Sequence, residues 1–145
     1  AEPKLQLAAW FHDAIYSPQR HDNESRSAAL ARLRLRHAGL AKDAREFVAH
    51  AVLATATHDI VDSAIAPLID ADLSILGSCP ATYKRYADAI RDEYAFVPDE
   101  RFRSARARFL RTMLGRPEIF GTPIAQARFE SRARENLREE LATLT

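Results

Sequence analysis

The stretch Asp22-Asn23-Glu24-Ser25-Arg26-Ser27-Ala28-Ala29-Leu30-Ala31-Arg32-Leu33-Arg34-Leu35-Arg36-His37-Ala38-Gly39 reads in two ways. Its centre, Arg32-Leu33-Arg34-Leu35-Arg36, alternates polar and apolar residues with the two-residue period of a strand. Its ends are those of a helix. Asp22 or Asn23 suits an N-cap, and Gly39 suits the left-handed residue that follows a helix. The caps decide the segment as a helix reaching about His37. The fold class follows, because no other stretch is bounded by hairpin turns as a strand would be.

Working outward, helical spacing and helix punctuation account for the remainder. Leu5, Ala8, His12 and Ile15 recur on one face until Ser17-Pro18, where the residue before proline leaves the helical region. A third helix is expected from about Asp43 to His58, with Phe47, Ala51, Ala54 and His58 on one face. Pro67 and Pro80 suit the first turns of a fourth and a fifth helix, the fourth closed by Gly77. The fifth lines up Tyr83, Ala87, Ile90 and Tyr94. Pro98-Asp99 opens a sixth, with Phe102, Phe109 and Met113 inward and Gly115 at its end; a last helix carries Ile124, Ala127, Leu137 and Leu141. The expectation is an all-α, compact, single-domain bundle of about seven helices over residues 1–145.

Composition fits that expectation. Of 145 residues, 47% are hydrophobic and 28% charged, the balance of a globular protein able to bury a core. Lys and Arg number 21 against 20 Asp and Glu, so no bulk field favours a stable nucleic-acid complex or a membrane surface. The run Arg101, Arg103, Arg106, Arg108, Arg111 reads as a solvated helix face, with a contact to one phosphate as the alternative. The single cysteine, Cys79, excludes an internal disulfide and a cysteine-built zinc site. No run approaches the length of a membrane span and no signal-peptide pattern opens the chain, so a cytoplasmic location is the expectation.

The chemistry lies where polar residues occupy apolar stripes. His12 interrupts the stripe of the first helix and Asp13 follows it directly; a buried carboxylate is costly unless compensated, and a metal ion would compensate both. On the fourth helix Ile65, Leu68, Ile69, Leu73 and Leu76 define an apolar face, and Asp72 falls on it. Asp70, about 200° away at 3.6 residues per turn, is expected to point outward. His58 continues the inward face of the third helix. The alternatives are a satisfied core histidine for His12, a buried aspartate capping a neighbouring helix for Asp72, and a helix-terminal residue facing water for His58. As ligands, imidazole and carboxylate suit Mn, Fe, Co, Ni or Zn, and also admit Mg. There is no Gly-rich phosphate loop, nucleophile elbow or His-Glu-x-x-His pair.

Ala9-Trp10-Phe11-His12-Asp13-Ala14-Ile15-Tyr16 resembles the central signature of the HD superfamily of metal-dependent phosphohydrolases. Asp22 to Ala28, Asp70 to Gly77, Tyr94 to Pro98 and Arg116 to Phe120 resemble a bacterial branch of it. The resemblance implies an HD-type helical domain in which His12, Asp13 and Asp72 hold a divalent metal. It implies that His58 lies near the substrate phosphate or a second metal, and that Asp13, Glu24 and His58 take part in catalysis, Glu24 by orienting or deprotonating the attacking water. The superfamily's first His belongs on a preceding helix. Eleven residues precede His12, none of them histidine, and the first is Ala1 rather than Met; the expectation is that this helix lies upstream of the sequence, the alternative being that this branch has lost it.

The expected activity is hydrolysis of a phosphate ester, a nucleotide foremost, by a metal-activated water. Arg20, Arg26, Lys84 and Arg85 are candidate phosphate contacts, with surface charge as the plainer reading. The alternatives are a catalytically impaired module that binds a nucleotide or phosphate, and a helical interaction domain forming a homodimer.

Overall fold

The computed structural model describes residues 2–60 and 62–145. Among the described residues are seven α-helices: α1 (Pro3–Phe11), α2 (Asn23–His37), α3 (Lys42–Ala54), α4 (Ala66–Leu73), α5 (Pro80–Glu93), α6 (Asp99–Leu114) and α7 (Pro123–Leu144). A 3₁₀ turn over Ser74–Gly77 extends α4, and no strand occurs among the described residues. Two compact units divide the chain, one ending at Asp72 and the other beginning at Leu73.

In the first unit α1, α2 and α3 pack on one another. Ala8, Ala28, Ala31, Ala49 and Ala51 are fully buried there, so small side chains let the helices approach, while Leu35, Val48 and Val52 fill the core. The strand-like alternation of Arg32 to Arg36 is helical, and Leu33, which that alternation would pair with Leu35, is half exposed. Gly39 closes α2 at φ +79°, with Leu40 N–H donating back to the Leu35 carbonyl. Asp22 stands at the N-cap but caps nothing with its side chain. Arg20 and Arg26 hold its carboxylate instead, and the Asn23 side chain turns to the backbone of Ser17.

Two helices end earlier than their apolar stripes. α1 stops at Phe11 with His12 as its C-cap, since the backbone at Ile15 and Ser17 bonds to side chains of α2 instead of continuing the helix. α3 stops at Ala54, where Thr55 and Ala56 donate to the carbonyls of Val52 and Leu53 in a tightened last turn.

The second unit is organised by α7. Gly77 lies against it so closely that a Cβ there would fall 2.6 Å from the Phe129 Cβ. Asn136, 2% exposed, donates to the carbonyls of Leu76 and Ser78 at 2.8 and 2.9 Å and satisfies the end of the 3₁₀ turn. Glu130 accepts the amides of Ile119 and Phe120, while Arg134 donates to the carbonyls of Leu114 and Arg116; together they tie the loop before α7 to that helix. Thr122 caps α7 by accepting from Ala125 N–H.

Two expectations are corrected in this unit. Arg106 does not share the solvated face of its neighbours: it is 8% exposed, paired with Glu140 at 2.7 Å, and Tyr83 also donates to Glu140. Burial alone would lower the Arg106 pKa, yet its hydrogen bond to Glu140 raises it, as burial and the same carboxylate raise the Tyr83 phenol. On α7, Ile124 and Ala127 are exposed; the buried stripe is Ala125, Ala133 and Leu137, one residue out of phase with the expected start.

Candidate metal and phosphate site

His12 leaves the end of α1 with its ring turned back on the helix. Nδ1 lies 2.8 Å from the Ala9 carbonyl oxygen, which can only accept, so Nδ1 carries the hydrogen. In the neutral ring the lone pair is therefore on Nε2. That nitrogen is 3.3 Å from Oδ2 of Asp13 and 3.3 Å from Oδ1 of Asp72. A lone pair facing two carboxylate oxygens is repelled by both unless a proton or a cation stands on that side.

Asp72 comes from α4, and its second oxygen accepts a 2.7 Å hydrogen bond from Nε2 of His58. His58 does not reach it along an α3 face. It sits beyond the helix end in the left-handed region at φ +56°, a conformation uncommon outside glycine. Burial would push the Asp72 carboxyl up; the hydrogen bond and charge of His58, reinforced by His12, more than offset this and hold it below the ordinary aspartate range. Asp72 is therefore a carboxylate at neutral pH. Its side chain is a quarter exposed, as are those of His12 and His58, whereas Asp13 is mostly open to solvent.

The structure thus brings His12, Asp13, Asp72 and His58 together. Glu24, half-buried on the first turn of α2, makes no hydrogen bond or ion pair with them among the described residues. Asp70 is corrected. It is 4% exposed and takes part in an interaction of its own, so it does not point outward. α4 has only a narrow solvent stripe, Pro67 and Ala71. Asp70 and Asp72 each lie about 100° from Ala71, on opposite sides, and neither follows it into solvent. His21, His37 and His50 are exposed. Of the candidate phosphate contacts, Arg20 and Arg26 are spent on Asp22, Lys84 on Asp88, and Arg85 on the Thr82 hydroxyl.

The donor set suits a divalent ion. An imidazole whose other nitrogen donates to a backbone carbonyl is the usual form of a metal-binding histidine. Two donor separations of 3.3 Å resemble those of atoms sharing one ion at bonds of about 2.0–2.2 Å. The cage is not preformed, however: among the described residues no group of three or more His, Cys, Asp or Glu is arranged to hold a metal.

Ser27 and Asn23 hold the chain just after Asp13, whereas the sequence marks Asn23 only as a candidate helix cap and does not single out Ser27. The one available signal was their spacing of four on α2, which places both on one helix face. In the second unit a groove of about 330 Å³ lies between α5 and α7, lined by Tyr83, Ala87, Lys84, Asp88 and Glu139 among others, and it contains none of the expected site residues. Compared with protein families, curated proteins and solved structures, the chain matches none.

Proposed function

We propose that this chain is a metal-dependent phosphohydrolase of the HD type, acting on a phosphate ester for which a nucleotide is the favoured substrate. One observation carries the reading: Nε2 of His12, with Nδ1 tied to Ala9, faces the carboxylates of Asp13 and Asp72. These three residues would hold the ion, which would supply positive charge for a phosphoryl oxygen and acidify a coordinated water.

The chain's own groups perform the remaining work. Asp72 stays ionised and presents Oδ1, while His58 fixes its other oxygen. The hydrogen that His58 Nε2 donates to Asp72 keeps that carboxylate oriented toward the cluster. Glu24 stands on α2 as a candidate for orienting water, a role that rests on the family resemblance alone.

The test is phosphate release from a panel of nucleotides with added Mn²⁺, Co²⁺, Ni²⁺, Zn²⁺ or Mg²⁺. Metal-dependent release that disappears in Asp72→Asn supports the reading. Release from no nucleotide with any of these ions argues against an enzyme.

The alternative, a module that binds a nucleotide or phosphate without turning it over, is favoured by the lack of a preformed three-ligand cage among the described residues. Nucleotide binding without hydrolysis would select it.

A further inference from the structure

Asp13 is the least supported member of the cluster. Its side chain is 68% exposed, and its one ion pair among the described residues is the 3.3 Å approach to His12. Where its carboxylate sits therefore depends on the backbone that carries it. On one side that backbone is anchored by α1, where His12 N–H donates to the Ala8 carbonyl. The other side has no helix to anchor it, since α2 begins only at Asn23.

Two buried polar side chains of α2 take over that task. The Ser27 hydroxyl, on a residue with no solvent exposure, accepts from Ile15 N–H at 3.0 Å and donates to the Ile15 carbonyl at 3.1 Å. One turn earlier Asn23, 8% exposed, accepts from Ser17 N–H at 3.1 Å and donates to the Ser17 carbonyl at 2.8 Å. Each side chain satisfies both backbone groups of one residue, as a neighbouring strand would. Residues 15–17 are thereby lashed along a single face of α2, two residues beyond Asp13.

We propose that Ser27 and Asn23 are positioning residues for the His12–Asp13 pair, acting through the backbone of Ile15 and Ser17. The inference rests on the reading of His12 and Asp13 as metal ligands. Neither Ser27 nor Asn23 would touch the ion. Their effect is to make Asp13 a preplaced donor instead of one that must be ordered when the ion binds, and loss of such support typically weakens binding by about 10–100-fold.

The test compares Ser27→Ala with Ala31→Gly, a change one turn further along α2 at an equally buried position that bonds to nothing in residues 12–17. Two quantities are read: the dissociation constant for Mn²⁺, and backbone ¹⁵N relaxation of residues 13–17 without metal. Ser27→Ala is expected to loosen those amides and weaken Mn²⁺ binding about tenfold or more. Ala31→Gly, although destabilising, should leave both readings near wild type. Should Ser27→Ala not fold, Asn23→Ala cuts the bracket at Ser17 alone and is judged by the same two readings.

Amides that stay rigid in the folded variant overturn the inference, and so does loosening without loss of affinity. If the wild-type chain binds no Mn²⁺, the metal reading falls separately, and with it the role of these residues toward the ion; the relaxation data then still decide whether they order the segment.

Discussion

Asp22 shows how a single side chain can leave the role its position suggests. As an N-cap it would accept from α2 amides, yet it serves Arg20 first and Arg26 next, and these guanidinium groups lower its carboxyl from 3.8 to about 2. A depressed carboxyl contributes stability above its unfolded pKa and loses it as pH falls through the folded value. The window here runs from about pH 4 down to about 2. The pair is exposed, so its contribution is small. An NMR titration should find the Asp22 carboxyl still ionised at pH 3 in the wild type, and Arg20→Ala should return its midpoint toward 3.8; an unchanged midpoint would remove the guanidinium explanation. Asp70 and Asp72 separate in a similar way. Asp72→Asn should abolish metal binding, because it removes the carboxylate facing His12. Asp70→Asn should keep metal binding but cost about 1–3 kcal/mol of stability, the penalty for disturbing a buried polar group. Calorimetric metal titration beside thermal melting distinguishes the two, and loss of metal from both variants would place Asp70 in the site.

At the scale of elements, α6 and α7 share a buried ion pair whose removal should be costly. Arg106→Ala leaves Glu140 facing the core with only the Tyr83 hydroxyl, and a loss of about 3–5 kcal/mol is expected. Arg101→Ala, on the exposed side of the same helix, should stay within about 0.5 kcal/mol. Replacing both partners, Arg106→Met with Glu140→Leu, should recover most of the loss; urea denaturation of the three variants checks the order. Gly77→Ala is the matching steric test. The new Cβ would meet Phe129 backbone atoms at 2.9 Å as well as its Cβ, which cannot rotate away, so about 1–3 kcal/mol should be lost. Helices of this kind were legible in the sequence wherever a cap or an apolar stripe marks them: Gly39, Pro67, Pro80 and Pro98 each fall at or beside an observed boundary. Boundaries set by partners distant in sequence were not. α1 ends because Ser27, twelve residues beyond Ile15, competes for its backbone, and no local pattern reports that. The register of α7 failed for a related reason: Ile124 is apolar but stands one position off the stripe that tertiary packing selects.

For the molecule as a whole, composition indicated a globular chain with nearly balanced charge, and the described helices include none long and apolar enough to cross a membrane. Composition is blind to the division at Asp72, because both units use the same amphipathic helices. The candidate site was partly legible for an energetic reason. His12 and Asp72 interrupt apolar stripes, and a polar residue there needs compensation that a sequence can suggest but not identify. What the sequence lacked was the contact map: Asp72 between two imidazoles, and His58 reaching it from a left-handed turn instead of from α3. We propose that His12, Asp13 and Asp72 form a divalent-metal site. The most direct test is calorimetric titration of the chain with Mn²⁺, with elemental analysis after removal of excess ion, beside His12→Ala. One ion per chain is expected in the wild type and none in a His12→Ala protein that keeps its helical circular dichroism. Equal metal in both proteins, or none in either, would contradict it.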